Sequence, residues 1–297
     1  MGDVHPFTTI EEQIAKLEDR GMVVSDKEMA KRFLLSNNYY RVVNGYKELF
    51  LDRGRSTRGH EIYVQGCTFE QLTTLYNFDR ELRNRTLDAI LVVESRLKTA
   101  TVHAFCYSHR GVEDYLDQSN YRTVDQYPQG RDYQKNLGKL IHSLETAKDN
   151  RRKDYIKHYM NREHGVPLWV VSGCLTFGVM SNFYNLMTTA DQIRTAQYLS
   201  EAVGKRVLQK KVSRVYETAN NFRNTCAHGE RLFCARFGRN KDVRYAELCQ
   251  KLKLVMTDGE YQGLIVNQID QVLGRLSSDS GLKTKVMKIM GILDKPI

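Results

Sequence analysis

Proline is scarce in this chain. Only four prolines occur, at positions 6, 128, 167 and 296 of 297 residues, and that scarcity limits the folds open to it. A proline removes a backbone donor and clashes with the preceding helical turn, so helices end where prolines stand. The long proline-free tracts are rich in Leu, Lys, Arg, Glu and Gln, all good helix formers. The predicted fold class is all-α, a helical bundle with short irregular insertions.

Apolar spacing supports the same reading. Between Thr68 and about Tyr107, Leu72, Leu75, Phe78, Leu82, Leu87, Ile90, Val93 and Leu97 recur at helical intervals, predicting a long helix with a break or kink. Asp79, Arg80, Arg83 and Glu94 would make charged contacts beside that face. Upstream, Thr8 or Thr9 can cap a helix carrying Glu11 or Glu12 in its first turn, with Ile10, Ile14 and Leu17 on one face and Gly21 at its end. A second helix should begin near Ser25 and Asp26. DRGRSTRGH, residues 52–60, reads as a loop, and EIYVQG after it as a short strand or hairpin. Residues 108–135 lack periodicity and suggest a mobile polar insertion.

Further helices are expected near 136–162, 191–202, 205–228, 243–256, 259–276 and 282–293. Residues 165–190 carry no charged side chain, a length that raises a membrane span. Pro167, Gly173, Gly178 and several Ser, Thr and Asn residues dilute its hydrophobicity, so a buried central helix is expected instead, with Trp169, Leu175, Phe177, Met180 and Phe183 giving core or dimer-interface volume. The chain divides into an N-terminal helical segment (1–60), a core (61–240) with the insertion near 108–135, and C-terminal helices packed on that core (241–297).

With 41% hydrophobic and 27% charged residues the protein should be soluble and globular, and a net charge of +10 favours polyanionic partners, because neutralised phosphates release counterions. Six cysteines, Cys67, Cys106, Cys174, Cys226, Cys234 and Cys249, are scattered without a CxxC pair. That weighs against zinc fingers and disulfide frameworks. Without a basic or apolar leader at the start, a cytoplasmic location is expected. No Gly-rich phosphate loop, zinc-type spacing or Gly-x-Ser-x-Gly elbow is present, so ATPase, metalloenzyme and serine hydrolase readings have no foothold. No cofactor is expected.

The stretch that carries chemistry is RNTCAH, Arg223 to His228. Arginine stays protonated and forks onto phosphate oxygens, while histidine titrates near neutrality and moves a proton either way. RNA offers a target for each. Deprotonating a ribose 2′-OH activates it against the adjacent phosphate, and a guanidinium can neutralise the charge that builds there, with no metal required in principle. Arg223 and His228 lie roughly 140° apart on an ideal helix, so the arginine must reach. Asn224 and His228, at i,i+4, share a face. Gly229 is a plausible helix stop. An isolated Arg-x4-His pair arises by chance in many helical proteins.

Four ordered blocks make the signal more specific. FTTIEEQIAKLEDRGMVV followed by NNYYRVVNGY, then TFEQLTTLYNFDRELR, then DYIKHYMNREHGVPLWVVSGCLTFGVMSNFY, and finally RNTCAHGERLF resemble in sequence and order the Abi-like (abortive infection, AbiD/AbiF) bacterial proteins, whose C-terminal part resembles a HEPN ribonuclease domain. The resemblance spans most of the chain. It implies a HEPN-like core, metal-independent endoribonuclease chemistry, a toxin-like role in phage defence and, for some members, restraint by a cognate small non-coding RNA. It carries over Arg223 and His228 as catalytic, with Asn224 as their polar neighbour, and a HEPN-like site built on this pair implies a homodimer. One departure stands out: the pattern often has an acidic residue four positions after the tryptophan, where this chain has Gly173.

Other residues admit two readings. In NNYYRVVNGY, Tyr39, Tyr40 and Arg41 suit an RNA surface of stacking rings and a phosphate contact. The same residues suit a helix whose tyrosines pack into the core. Arg53, Arg55 and Arg58 on the loop, the cluster Arg151, Arg152 and Lys153, and the run Lys205, Arg206, Lys210, Lys211 and Arg214 are candidate RNA contacts or solvated faces. Arg96 and His103 form a possible second pair, nearly aligned on one helix, or else a salt-bridged arginine and a packed histidine. The rival to an RNA-cutting toxin is a non-catalytic RNA-binding regulator using the same basic surface. A plain protein-interaction bundle is the third reading.

Overall fold

The computed structural model describes residues 7–57, 59–127, 132–162, 165–295 and 297. Capping side chains set the first helix starts. Thr9 accepts from the Glu12 backbone N–H while Glu12 reaches back to Thr9, opening α1 (Ile10–Asp19), and Asp26 caps α2 (Lys27–Ser36) through the Met29 N–H. These side chains satisfy donors that the first helical turn leaves unpaired. A π-turn follows at Tyr40–Asn44.

Thr68 and Gln71 form the capping box that opens α3 (Phe69–Ser108), 40 residues without interruption. The expected break is absent. Between 69 and 108 there is no proline or glycine, the usual causes of a sharp bend. Its buried residues, from Phe69 and Leu72 through Ile90, Val93 and Leu97 to Phe105, lie on several sides, as suits a helix wrapped by others.

Helices α4 (Tyr133–Lys148), α5 (Asp154–Arg162), α6 (Leu168–Val171), α7 (Phe177–Leu186), α8 (Thr189–Val203) and α9 (Gln209–Ala227) follow, then α10 (Tyr245–Lys253), α11 (Asp258–Tyr261), α12 (Asn267–Gly274) and α13 (Ser280–Met290). Helix α3 packs against α6, α7, α8, α9 and α12, and α9 is held between α3, α7 and α10. One apolar cluster runs from Ile14 to Ile292 through all of these layers. The fold is all-α. Among the described residues no helix is long and apolar enough to cross a membrane.

Four local expectations change. EIYVQG forms no strand; it makes an isolated antiparallel bridge, Leu51 with Tyr63, while Val23 pairs with Thr68 beside it. Within 108–127 the insertion is docked rather than mobile: Tyr115, Tyr121 and Tyr127 are buried, and Tyr121 packs between Phe105 and Phe183. The expected helix over 136–162 is two helices. Asn150 accepts from the Arg152 N–H through its side chain, a local bond that competes with helix continuation. The uncharged stretch likewise divides at Ser172–Cys174, where α7 restarts on Thr176 as cap; Trp169 is 57% exposed and outside the core.

Candidate functional site

Asp79 on α3 is fully buried and accepts four hydrogen bonds. Tyr46 Oη donates at 2.6 Å and Arg83 Nη1 at 2.7 Å. The backbone N–H groups of Leu232 and Phe233 donate at 3.1 and 2.8 Å. Burial pushes the Asp79 carboxyl above its usual range, yet every neighbour is a donor, and only the ionised, acceptor-only carboxylate fits. Three sequence blocks thus meet at one atom group: the NGY of 44–46, the FDRELR of 78–83 and the RLF of 231–233. Arg231 adds a second tie, its Nη1 donating to the Gly45 carbonyl at 2.6 Å.

This clamp holds the exit from α9. His228 is the C-cap residue. The Gly229 N–H donates to the Cys226 carbonyl at 3.2 Å and the Glu230 N–H to the Thr225 carbonyl at 3.0 Å, the paired bonds of a Schellman stop. Gly229 has φ +67°, a left-handed conformation that glycine adopts without steric penalty. His228 is therefore exposed at a rigid corner, and Asn224, one turn earlier, is exposed beside it.

Arg223 points elsewhere. Its side chain is 36% exposed, and Nε lies 3.8 Å from Oε2 of Glu94, a half-paired carboxylate whose other oxygen meets Lys98 at 2.8 Å. Arg223 Nε and Glu94 Oε2 are both buried without a hydrogen-bond partner. No hydrogen bond joins Arg223 to His228 or to Asn224 among the described residues. Glu94 is the carboxylate nearest Arg223, where the spacing along the chain placed it only as a charge beside a helix face.

The structure separates the other candidates. Tyr39 turns inward, packed on the core, and burial raises its phenol pKa. Tyr40 is 72% exposed, and Arg41 is exposed with its Nη1 3.5 Å from where a side-chain carbon on Gly229 would sit. Arg53 and Arg55 stand exposed on a turn that Asp52 caps through the Gly54 N–H. Arg58 lies outside the described residues. Arg151, Arg152 and Lys153 are exposed in the turn between α4 and α5. Lys205 is paired with Asp258 at 2.7 Å. Arg206, Lys210, Lys211 and Arg214 are exposed, and burial, then Arg214 and Lys211, depresses the Lys251 pKa. Lys251 thus extends that basic face onto α10, a membership no sequence spacing reveals.

Arg96 is engaged with Glu260 at 2.6 Å and the Val255 carbonyl at 2.8 Å. His103 is exposed on the same cleft, its ring edge-on to Tyr198 at 6.4 Å. Gly173 explains its own departure from the pattern: a Cβ there would lie 3.2 Å from Tyr155 Oη, so an acidic side chain needs that ring to move. Ser108, His109 and Asp191 also meet, but serine and histidine both face the carboxylate, at 2.5 and 3.3 Å. No serine–imidazole pair forms, so the trio is not a nucleophile with its base. Among the described residues no group of three or more His, Cys, Asp and Glu side chains is placed to hold a metal ion.

The fold and this corner define an all-α protein in which three of the four signature blocks converge on one buried carboxylate. A family model described as Abi-like protein matches residues 32–234, and the chain belongs to that family. Membership ties it to abortive infection and so to phage defence. Neither a curated protein nor a solved structure matches the chain significantly.

Proposed function

We propose that the protein is a toxin-like, metal-independent endoribonuclease of the HEPN type, acting in a homodimer through Arg223 and His228. The observation that carries this reading is the rigid α9 terminus. An exposed imidazole ends the helix, and an arginine five residues earlier stands 3.8 Å from a buried carboxylate, Glu94, on a neighbouring helix.

In this chemistry the ribose 2′-oxygen attacks phosphorus and the 5′-oxygen leaves, giving a 2′,3′-cyclic phosphate and a 5′-hydroxyl. His228 moves one proton, as base toward the 2′-OH or as acid toward the leaving oxygen, and water makes the other transfer. Arg223 binds the scissile phosphate and offsets its growing charge. Asn224 orients the imidazole or a phosphate oxygen. Because Arg223 and His228 diverge by roughly 140° around one helix, a second chain would complete the arrangement. A toxin of this kind needs restraint, and a cognate small RNA on the basic surface supplies it.

His228→Ala should abolish cleavage of RNA by the purified protein, and toxicity in cells, while thermal unfolding stays that of the wild type. Retained cleavage in a folded variant removes histidine from the chemistry. The inward set of Arg223 against Glu94 favours one second reading, a non-catalytic RNA-binding regulator. RNA binding without turnover in the wild type is its signature.

A further inference from the structure

Beside the end of α9 lies a groove of about 540 Å³, within the usual range of about 300–1,000 Å³ for ligand clefts. Its walls come from stretches far apart in sequence, the π-turn Tyr40–Asn44 and the loop 229–237. π-Turns are rare and concentrate at functional sites. Here the turn buries Val42 and Val43 and leaves Tyr40 and Arg41 exposed, so that they line the groove.

The charges of the groove are unequal. Arg41, Arg231 and Arg236 line it and are exposed, against one exposed lining carboxylate, Glu230. Arg83 also lines it, but its charge is met by Asp79 at 2.7 Å. Arg231 spends one nitrogen on the Gly45 carbonyl. Among the described residues neither Arg41 nor Arg236 has a carboxylate within 4.0 Å, the limit for an ion pair. Free guanidiniums in a concave wall are anion sites, since their planar forks match phosphate oxygens. An exposed tyrosine on the rim adds a face on which a base can stack. The groove borders the proposed chemistry: Thr225 and Gly229, which flank His228, are part of its lining.

We propose that this groove is a binding subsite for single-stranded RNA, in which Arg41 and Arg236 hold backbone phosphates and Tyr40 stacks on a base. Its role as the seat for nucleotides next to the scissile phosphate rests on the endoribonuclease reading; binding itself does not. The alternation of phosphate contacts with a stacking ring suits a strand with free base faces, not a duplex whose bases are already stacked.

The test is fluorescence anisotropy of the full-length protein with a short 2′-O-methyl oligoribonucleotide, which has no free 2′-OH to react, across a salt series. Arg41→Gln and Arg236→Gln should each weaken binding at least about threefold and lower the salt slope by about 0.7. Tyr40→Ala should weaken it about fivefold or more with the slope kept. Lys285→Gln, an equal charge change on the exposed face of α13, should do neither. The idea is overturned if Arg41→Gln and Arg236→Gln behave like Lys285→Gln, if the wild type does not bind, or if a duplex of the same length binds as tightly. Thermal unfolding checks each variant, and Arg236→Gln carries the test should Arg41→Gln not fold. Cleavage of the matching unmodified RNA separates the two ideas. Groove-dependent binding without cleavage sinks the nuclease and keeps the subsite, whereas His228-dependent cleavage with KM unchanged in both arginine variants sinks the subsite and keeps the nuclease.

Discussion

Asp79 shows how much a single side chain can hold here. Its carboxylate joins Tyr46, Arg83, Leu232 and Phe233, and removing one partner of a buried ion pair strands the other charge. Asp79→Asn should therefore lower stability by about 3–5 kcal/mol, read as a shifted urea midpoint with unchanged slope. Tyr46→Phe, which removes the hydrogen bond donated to Asp79 and the longer one accepted from Arg83 but leaves the ion pair, should lose about 1.5–3 kcal/mol. If Asp79→Asn falls within the range of the tyrosine variant, the carboxylate's charge is not what binds the three blocks together. Neighbouring charges at Asp79 and Arg83 could be anticipated from their i,i+4 spacing. That the acid would cap the loop after His228 could not, because 153 residues separate Asp79 from Leu232.

Among the elements, α3 and the segment after it differ most from expectation. Helix α3 runs unbroken through the predicted break because neither proline nor glycine interrupts it. The following segment looked loose because it lacks periodicity, yet its anchors are single tyrosines whose rings reach the core and whose hydroxyls find backbone acceptors. Tyr115 Oη donates to the Val166 carbonyl at 2.8 Å and Tyr121 Oη to the Tyr115 carbonyl at 2.6 Å. Tyr121→Ala should expose 109–127 to limited proteolysis at least about tenfold faster, since truncating a buried aromatic removes about 3–5 kcal/mol of packing. Unchanged nicking kinetics would show that the segment is held instead by its 3₁₀ turns at Asp114–Leu116, Gln118–Asn120 and Val124–Gln126.

Across the whole molecule, the C-terminal helices are tied back to α3 by Arg96 and Glu260. The Arg96 hydrogen bond brings the Glu260 pKa down from 4.5 to about 2. The folded value lies below the unfolded one, so this stabilisation is complete above about pH 4.5 and is lost as pH falls toward 2. Over that window the thermal midpoint of Glu260→Gln should fall less steeply than that of the wild type. Parallel curves for the two proteins would show that the carboxylate adds no pH-dependent stability.

By itself the sequence determined the all-α class, most helix positions, the helix starts near Thr8 or Thr9, Ser25–Asp26 and Thr68, the Gly229 stop, and the family blocks with Arg223 and His228 among them. These follow from interactions spanning a few residues, such as side-chain periodicity, capping and the absence of proline, which can be read along the chain. Only the tertiary structure decided that Tyr39 turns inward while Tyr40 and Arg41 face out, that Glu94 stands behind Arg223, and that Arg41 and Arg236 share one groove. Those placements depend on which helices pack together and how each is rotated. The Gly45–Arg231 bond spans 186 residues, and no local spacing encodes a contact of that reach.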